Sequence, residues 1–186
     1  MILASLKPYY YYLIGQRKKN IEVRKSALKD LPQDIVFYMS KDEKSFAKIP
    51  KKFQAKYREH FGKVGIRAVV DKIYPMKMTI TECGDLILLS KIGMWNYNLC
   101  LSNDELSAYL GDKRGYGWNL DNVAIYDKPC KLSEFYTIPK SGSDCCFGCL
   151  WNATPLDEMP CRTCKRERKY LYRPPQSYMF VEEVGE

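Results

Sequence analysis

Residues 5–25 read SLKPYYYYLIGQRKKNIEVRK, and the fold turns on how this stretch divides. Pro8 suits the first turn of a helix, where its missing N–H costs nothing, and Gly15 suits a C-terminal cap. PYYYYLI is then an aromatic helix of about two turns. Before it, ILASLKP reads as a short strand leading into a turn. After it, Asn20 to Lys25 has strand alternation: Ile21 and Val23 point one way, and Asn20, Glu22 and Arg24 the other. Glu22 beside Arg24 on one face, with Lys19 just ahead, has two readings. It is an ordinary solvated ion pair, contributing less than about 1 kcal/mol, or it is the floor of a small polar site.

Outward from this stretch, DIVFYMS (Asp34 to Ser40) is β-rich and central. PKKFQAKYREHFG places Phe53, Tyr57 and Phe61 four apart on one helical face, with Gly62 as the stop. His60, the single histidine, falls on this lysine-rich helix and reads as a surface residue. VGIRAVVDKIYP and DLILLSKIG are further strands. SNDELSAYLG carries a capping box, Ser102 three residues before Glu105, and stops at Gly111. GYGWNLDNVAIYDKP reads as turn and then strand, and SYMFVEEV (Ser177 to Val184) is the last strand. Strands outnumber helices without regular alternation. That pattern predicts an α+β chain with a mixed, mainly antiparallel sheet or barrel and a few helices.

A chain of 186 residues suits one domain with a small insertion, and 46% apolar residues can supply a core. The net charge of +8 favours a polyanion as partner: nucleic acid, anionic lipid or an acidic protein. Lys7 and Pro8 interrupt the N-terminus too early for a signal peptide, and no apolar run reaches the length of a membrane span. The expectation is a cytoplasmic protein with no membrane partner. In that compartment eight cysteines argue for metal or free thiols over disulfides.

Residues 145–164 read CCFGCLWNATPLDEMPCRTC. Cys146 with Cys149, and Cys161 with Cys164, form two C-x-x-C pairs able to give four thiolates to a tetrahedral Zn²⁺. Arg162, Lys165, Arg166 and Arg168 sit where they would offset the thiolate charge. Free thiols or a redox pair are the other reading, and Cys145 is a spare. Four protein ligands leave no open position, so the expected Zn²⁺ is structural and folds a segment too short to bury its own core. Cys83, Cys100 and Cys130 are isolated and read as small buried hydrophobes.

The opening SLKPYYYYLIGQRKKNIEVRK, the middle GYGWNLDNVAIYDKPCKLSEF and the closing RPPQSYMFVEE together resemble ASCH domains of the PUA-like group, in particular small phage or prophage ASCH proteins. The resemblance implies a PUA-like β-barrel, partly closed, with flanking short helices. The four-cysteine zinc segment then stands as an insertion before the last strand. Residues 1–140 plus 170–186 would form the barrel and 141–169 the insertion. It also implies a cleft beside the first helix and the IEVRK strand that binds RNA, another nucleic acid or a nucleotide-like ligand. Two departures stand out: residues 15–22 run about two longer than the usual pattern, and Asn119 replaces a common histidine.

In that cleft Lys7, Lys19 and Arg24 could hold phosphate, Arg bidentately. Glu22 could accept from a base amino group, as carboxylates do with cytosine. Trp118 and Tyr9 to Tyr12 offer stacking faces, with Asn119 alongside. The plainer reading makes the tyrosines core. A second resemblance within the family is to an amidohydrolase that deacetylates a modified cytidine with a lysine, a threonine and a glutamate. Lys19 matches the lysine, Glu22 stands at the threonine position, and Glu182 or Glu183 would be the final acid. A third possibility is a module that binds a host protein through the zinc insertion.

Overall fold

ILASL is apolar on both sides of its pleat, and both sides are buried. In strand β1 (Ile2–Leu6), Ile2, Ala4 and Leu6 enter one core and Leu3 enters another on the opposite face. A strand covered on both faces belongs inside a sheet. The computed structural model describes residues 1–80, 86–90, 99–137, 171–176 and 178–183; side chains at 78–80, 86–90, 182 and 183 lie outside that description.

The remaining elements are α1 (Pro8–Gly15), β2 (Ile21–Arg24), β3 (Gln33–Met39), α2 (Glu43–Phe46), α3 (Lys51–Arg58), β4 (Val64–Ile80), β5 (Leu86–Ser90), α4 (Asn103–Leu110), β6 (Gly115–Cys130), β7 (Phe135–Thr137) and β8 (Tyr178–Glu183). The strand order is β2-β6-β4-β3-β1-β8-β7, with β5 on β4. The β1–β3 pair is parallel and the others are antiparallel. The mixed, mainly antiparallel α+β architecture expected from the element order is therefore present.

The expected barrel is an open but curled sheet: among the described residues no pairing joins its ends, β2 and β7. Register shifts along β4 against both β3 and β6 bend the long strands. Curling then brings distant strands face to face across the core. Three strands separate β8 from β6, yet the Tyr178 ring packs edge-on to Trp118 at 5.3 Å. Arg24 of β2 likewise reaches the Ser5 carbonyl of β1 at 2.8 Å.

Helix α1 closes the main core. Tyr11, Tyr12, Leu13 and Ile14 pack on Ile35, Phe37, Ile66 and Trp118, with Tyr57 of α3 fully buried among them. Gly15 is the last helical residue and not the left-handed cap; Arg17 takes that conformation at φ 54°. Gly15 is needed for close approach, since a Cβ there would lie 2.6 Å from the Tyr57 hydroxyl. Helix α3 ends at Arg58, so Phe61 and His60 lie beyond it. His60 is correspondingly not a surface residue. The turn after Glu59 carries it inward to 3% exposure, with Nδ1 3.0 Å from the Tyr11 hydroxyl.

The capping box of α4 forms as expected: the Ser102 hydroxyl accepts from the Glu105 N–H, and the Glu105 carboxylate accepts from the Ser102 N–H. GYGWNLDNVAIYDKP lies wholly within β6, with no initial turn. Cys100 and Cys130 are half-buried. Cys83, and Cys146, Cys149, Cys161 and Cys164 with the whole of 141–169, lie outside the described residues. No helix among the described residues is long and apolar enough to cross a membrane.

Candidate functional site

Lys19 is put in place by the way the chain leaves α1. The N–H groups of Lys18 and Lys19 both return to the Leu13 carbonyl, at 2.9 and 3.2 Å. This tight exit turns Lys19 inward to 1% exposure. Its ammonium donates to the carbonyls of Ile21 and Leu99, each at 2.6 Å, and stands 3.6 Å from Glu22 Oε2. Burial pulls its pKa down from the usual lysine value, and the Glu22 carboxylate opposes that shift.

Glu22 and Arg24 follow from strand geometry. On β2 they lie two apart, so they share a face, and pairing with β6 sets Glu22 opposite Trp118 and Arg24 opposite Tyr116. The Arg24 guanidinium donates to Glu22 Oε1 at 3.1 Å and to the Ser5 carbonyl, and stands 5.9 Å from the centre of the Trp118 ring. The Glu22 side chain is 11% exposed and that of Arg24 5%. The surface ion-pair reading is overturned: this is a buried carboxylate held between two buried cations. An isolated charge could not remain here, and each ion depends on the others.

The rest of the expected set divides. Trp118 belongs to the cluster but is fully buried. Its indole N–H donates to the Ser26 carbonyl, so it supports Arg24 from the core side and offers no face to a base. Asn119 is one residue on along β6, so it points to the opposite face, where its amide donates to Asp71 at 2.7 Å. Lys7 is exposed at the N-cap of α1, and no contact joins it to the buried ions. Glu182 stands opposite Tyr136 in the β7–β8 pair, and its side chain is outside the described residues. Of the four tyrosines of α1, Tyr11 and Tyr12 are core, whereas Tyr9 and Tyr10 are half-buried at the edge.

Tyr10 enters the sequence reading only within the run Tyr9 to Tyr12 and Glu105 only as a helix cap, and Tyr109 does not enter it at all. The Tyr10 ring lies 5.7 Å from Lys19 Nζ, and its hydroxyl donates to Glu105 at 3.0 Å. Burial, then that carboxylate, pushes the Tyr10 hydroxyl well above the usual tyrosine range, while the Ser102 N–H leads in holding Glu105 low. Glu105 thus caps α4 and ties it to α1. Four residues on, Tyr109 is 41% exposed, with Lys25 5.1 Å from its ring centre. Burial raises its pKa, and the nearby Arg24 and Glu22 charges act on it in opposite directions. The capping-box spacing located Glu105, but only α1–α4 packing shows its second partner. Chemically, the cluster offers one preorganised carboxylate with spare lone pairs at the limit of solvent reach, bordered by two tyrosines.

No protein-family model matches the chain, and no curated protein matches it. Among solved structures, the chain is similar to a serine-to-alanine mutant of the ASCH protein from Zymomonas mobilis. That match has a TM-score of 0.53 at 15% identity, over 97% of this chain and 87% of that one. The ASCH protein of the same organism matches with a TM-score of 0.46 at 17% identity, over 70% of this chain and 73% of that one. The first of these shows a shared overall fold.

Proposed function

We propose, starting from a fold shared with an ASCH protein, that this chain binds RNA or another single-stranded nucleic acid and reads one unpaired base at Glu22. The observation that carries the reading is the Glu22 carboxylate fixed between Lys19 and Arg24 at the edge of exposure. A carboxylate in that position accepts from an exocyclic amino group, the donor cytosine presents and uracil lacks. Tyr109 and Tyr10 border the position for stacking, and the net charge of +8 attracts the phosphates. The two buried cations set the direction of the carboxylate, and phosphate contacts fall to exposed lysines.

Fluorescence anisotropy with oligocytidylate and oligouridylate of equal length tests this. The wild type should favour cytosine by about 1–3 kcal/mol per base read. Glu22→Gln should remove that preference, and Tyr109→Ala should weaken both ligands together. Equal affinity for the two oligomers in the wild type would refute the base-reading role.

A second reading is supported by the lysine pKa lowered beside a carboxylate. Lys19, Glu22 and Glu182 would then serve an amidohydrolase acting on a modified nucleoside such as acetylated cytidine. Mass spectrometry separates the two readings: a binder returns acetylcytidine intact, whereas a hydrolase yields cytidine and acetate. For the segment 141–169 the proposal is one structural zinc on Cys146, Cys149, Cys161 and Cys164, on the strength of their paired spacing.

A further inference from the structure

The chain's positive charge is not spread evenly. Residues 41–63 hold eight lysines and arginines against three acids, a net of +5 out of the chain's +8. Two of those acids are already engaged. Asp42 accepts from the Ser45 N–H to cap α2, and Glu43 pairs with Arg58 through both carboxylate oxygens. Lys41, Lys44, Lys48, Lys51, Lys52 and Lys56 are exposed and make no ion pair among the described residues.

This basic face is continuous with the Glu22 site. The Tyr9 N–H donates to Ser45 of α2 at 3.1 Å, which seats the first turn of α1 against the lysine-bearing segment. The Ser40 N–H donates to the Leu6 carbonyl, so exposed Lys7 adjoins Lys41. At the other end, Lys48 is close enough to Glu105 to help hold that carboxylate ionised, and Glu105 bonds Tyr10 beside Lys19. Half-buried Tyr9 and Tyr10, with ring centres 6.0 Å apart, lie between the lysines and Glu22.

We propose that the α2–α3 lysine face is a phosphate track along which several nucleotides of one strand run from the base held at Glu22, across Tyr10 and Tyr9, to Lys44, Lys48, Lys51 and Lys52. The inference rests on the nucleic-acid reading above and makes its ligand an extended single strand instead of a free nucleotide. Unpaired lysines bordering half-exposed rings are the pattern that holds a backbone while bases stack. An anionic membrane would want apolar side chains projecting among the lysines. The exposed large apolar residues among those described are Leu31, Tyr109, Tyr172 and Phe180, and none lies in 41–63.

The test compares cytidine monophosphate with a twelve-nucleotide single strand, as RNA and as DNA, on the full chain and on Lys44→Gln/Lys48→Gln/Lys51→Gln/Lys52→Gln. Four phosphate contacts on a single strand add about −3 to the log–log salt slope, so a fourfold rise in salt weakens their share of binding about 50-fold. The quadruple variant should lose at least tenfold in oligomer affinity at low salt and flatten that slope by about three. Its circular dichroism spectrum should match the wild type, and its affinity for the mononucleotide should fall far less than its affinity for the oligomer. Unchanged oligomer affinity and slope would overturn the track. So would a wild type that binds the mononucleotide as well as the oligomer, or one that binds vesicles of phosphatidylserine and phosphatidylcholine in preference to it. Glu22→Gln separates the two proposals: if it leaves base preference untouched while the lysine variant still loses the oligomer, the base-reading role fails and the track stands.

Discussion

Replacing Glu22 with Gln should destabilise the protein although it changes only one polar atom. The carboxylate has 11% of its side chain exposed and lies between Lys19 at 1% and Arg24 at 5%. Removing one partner of a buried ion pair costs about 3–5 kcal/mol, because the remaining charges stay buried without compensation. Gln keeps the shape, and its amide oxygen can still accept from Arg24, so the lower end, about 3 kcal/mol, is expected. For a chain of this length that lowers the melting temperature by about 6–12 °C. A cycle with Lys19→Met sharpens the test. Once the lysine charge is gone, Glu22→Gln has less to uncompensate. The double variant should therefore be more stable than the sum of the singles by about 1–3 kcal/mol. Thermal and urea melts of the four proteins supply the numbers. A loss below about 1 kcal/mol for Glu22→Gln, with strictly additive singles, would show that the cluster is solvated and the buried triad wrong.

Two other outcomes follow from the same reasoning. His60 has its pKa pulled below the usual value by burial, then by Lys56 and Lys63, against the opposing Glu59; the Tyr11 hydroxyl faces Nδ1, and Tyr57 packs on the ring. The unfolded chain therefore takes up this proton first. The His60 contribution is complete above about pH 6.5 and shrinks as pH falls toward the lowered folded value, by up to about 1.4 kcal/mol per pH unit. Melting temperatures between pH 7.5 and 5 should show this slope, and His60→Gln should flatten it; an identical slope in the variant rules the histidine out. Metal analysis of the purified chain should give about one zinc, with Cys161→Ser lowering it. A zinc-free protein with native melting behaviour would refute the four-thiolate reading.

How far the sequence could be read differs from element to element. The α1 helix, the β2 alternation and the α4 capping box follow from contacts within a few residues, and each appears where local pattern puts it. The roles of His60 and Gly15 are not legible locally, because they depend on partners far along the chain. Tyr11 lies 49 residues from His60, and Tyr57 is 42 residues after Gly15. Lys7 and Asn119 look equivalent to Lys19 and Trp118 in sequence. Strand parity turns Asn119 to the opposite face, and the N-cap position leaves Lys7 in solvent.

The order of residues alone determined that Glu22 and Arg24 share a face, that Lys19 precedes them, and that positive charge gathers between Lys41 and Lys63, since each is a matter of short spacing and count. Only the tertiary structure decided that this face looks inward. The curl of the sheet carries β1 and β8 across the core to β2 and β6, where Ser5, Leu99 and Trp118 close around three charged side chains. Curvature arises from strand twist and register shifts summed over the whole sheet, and no window of a few residues contains that sum.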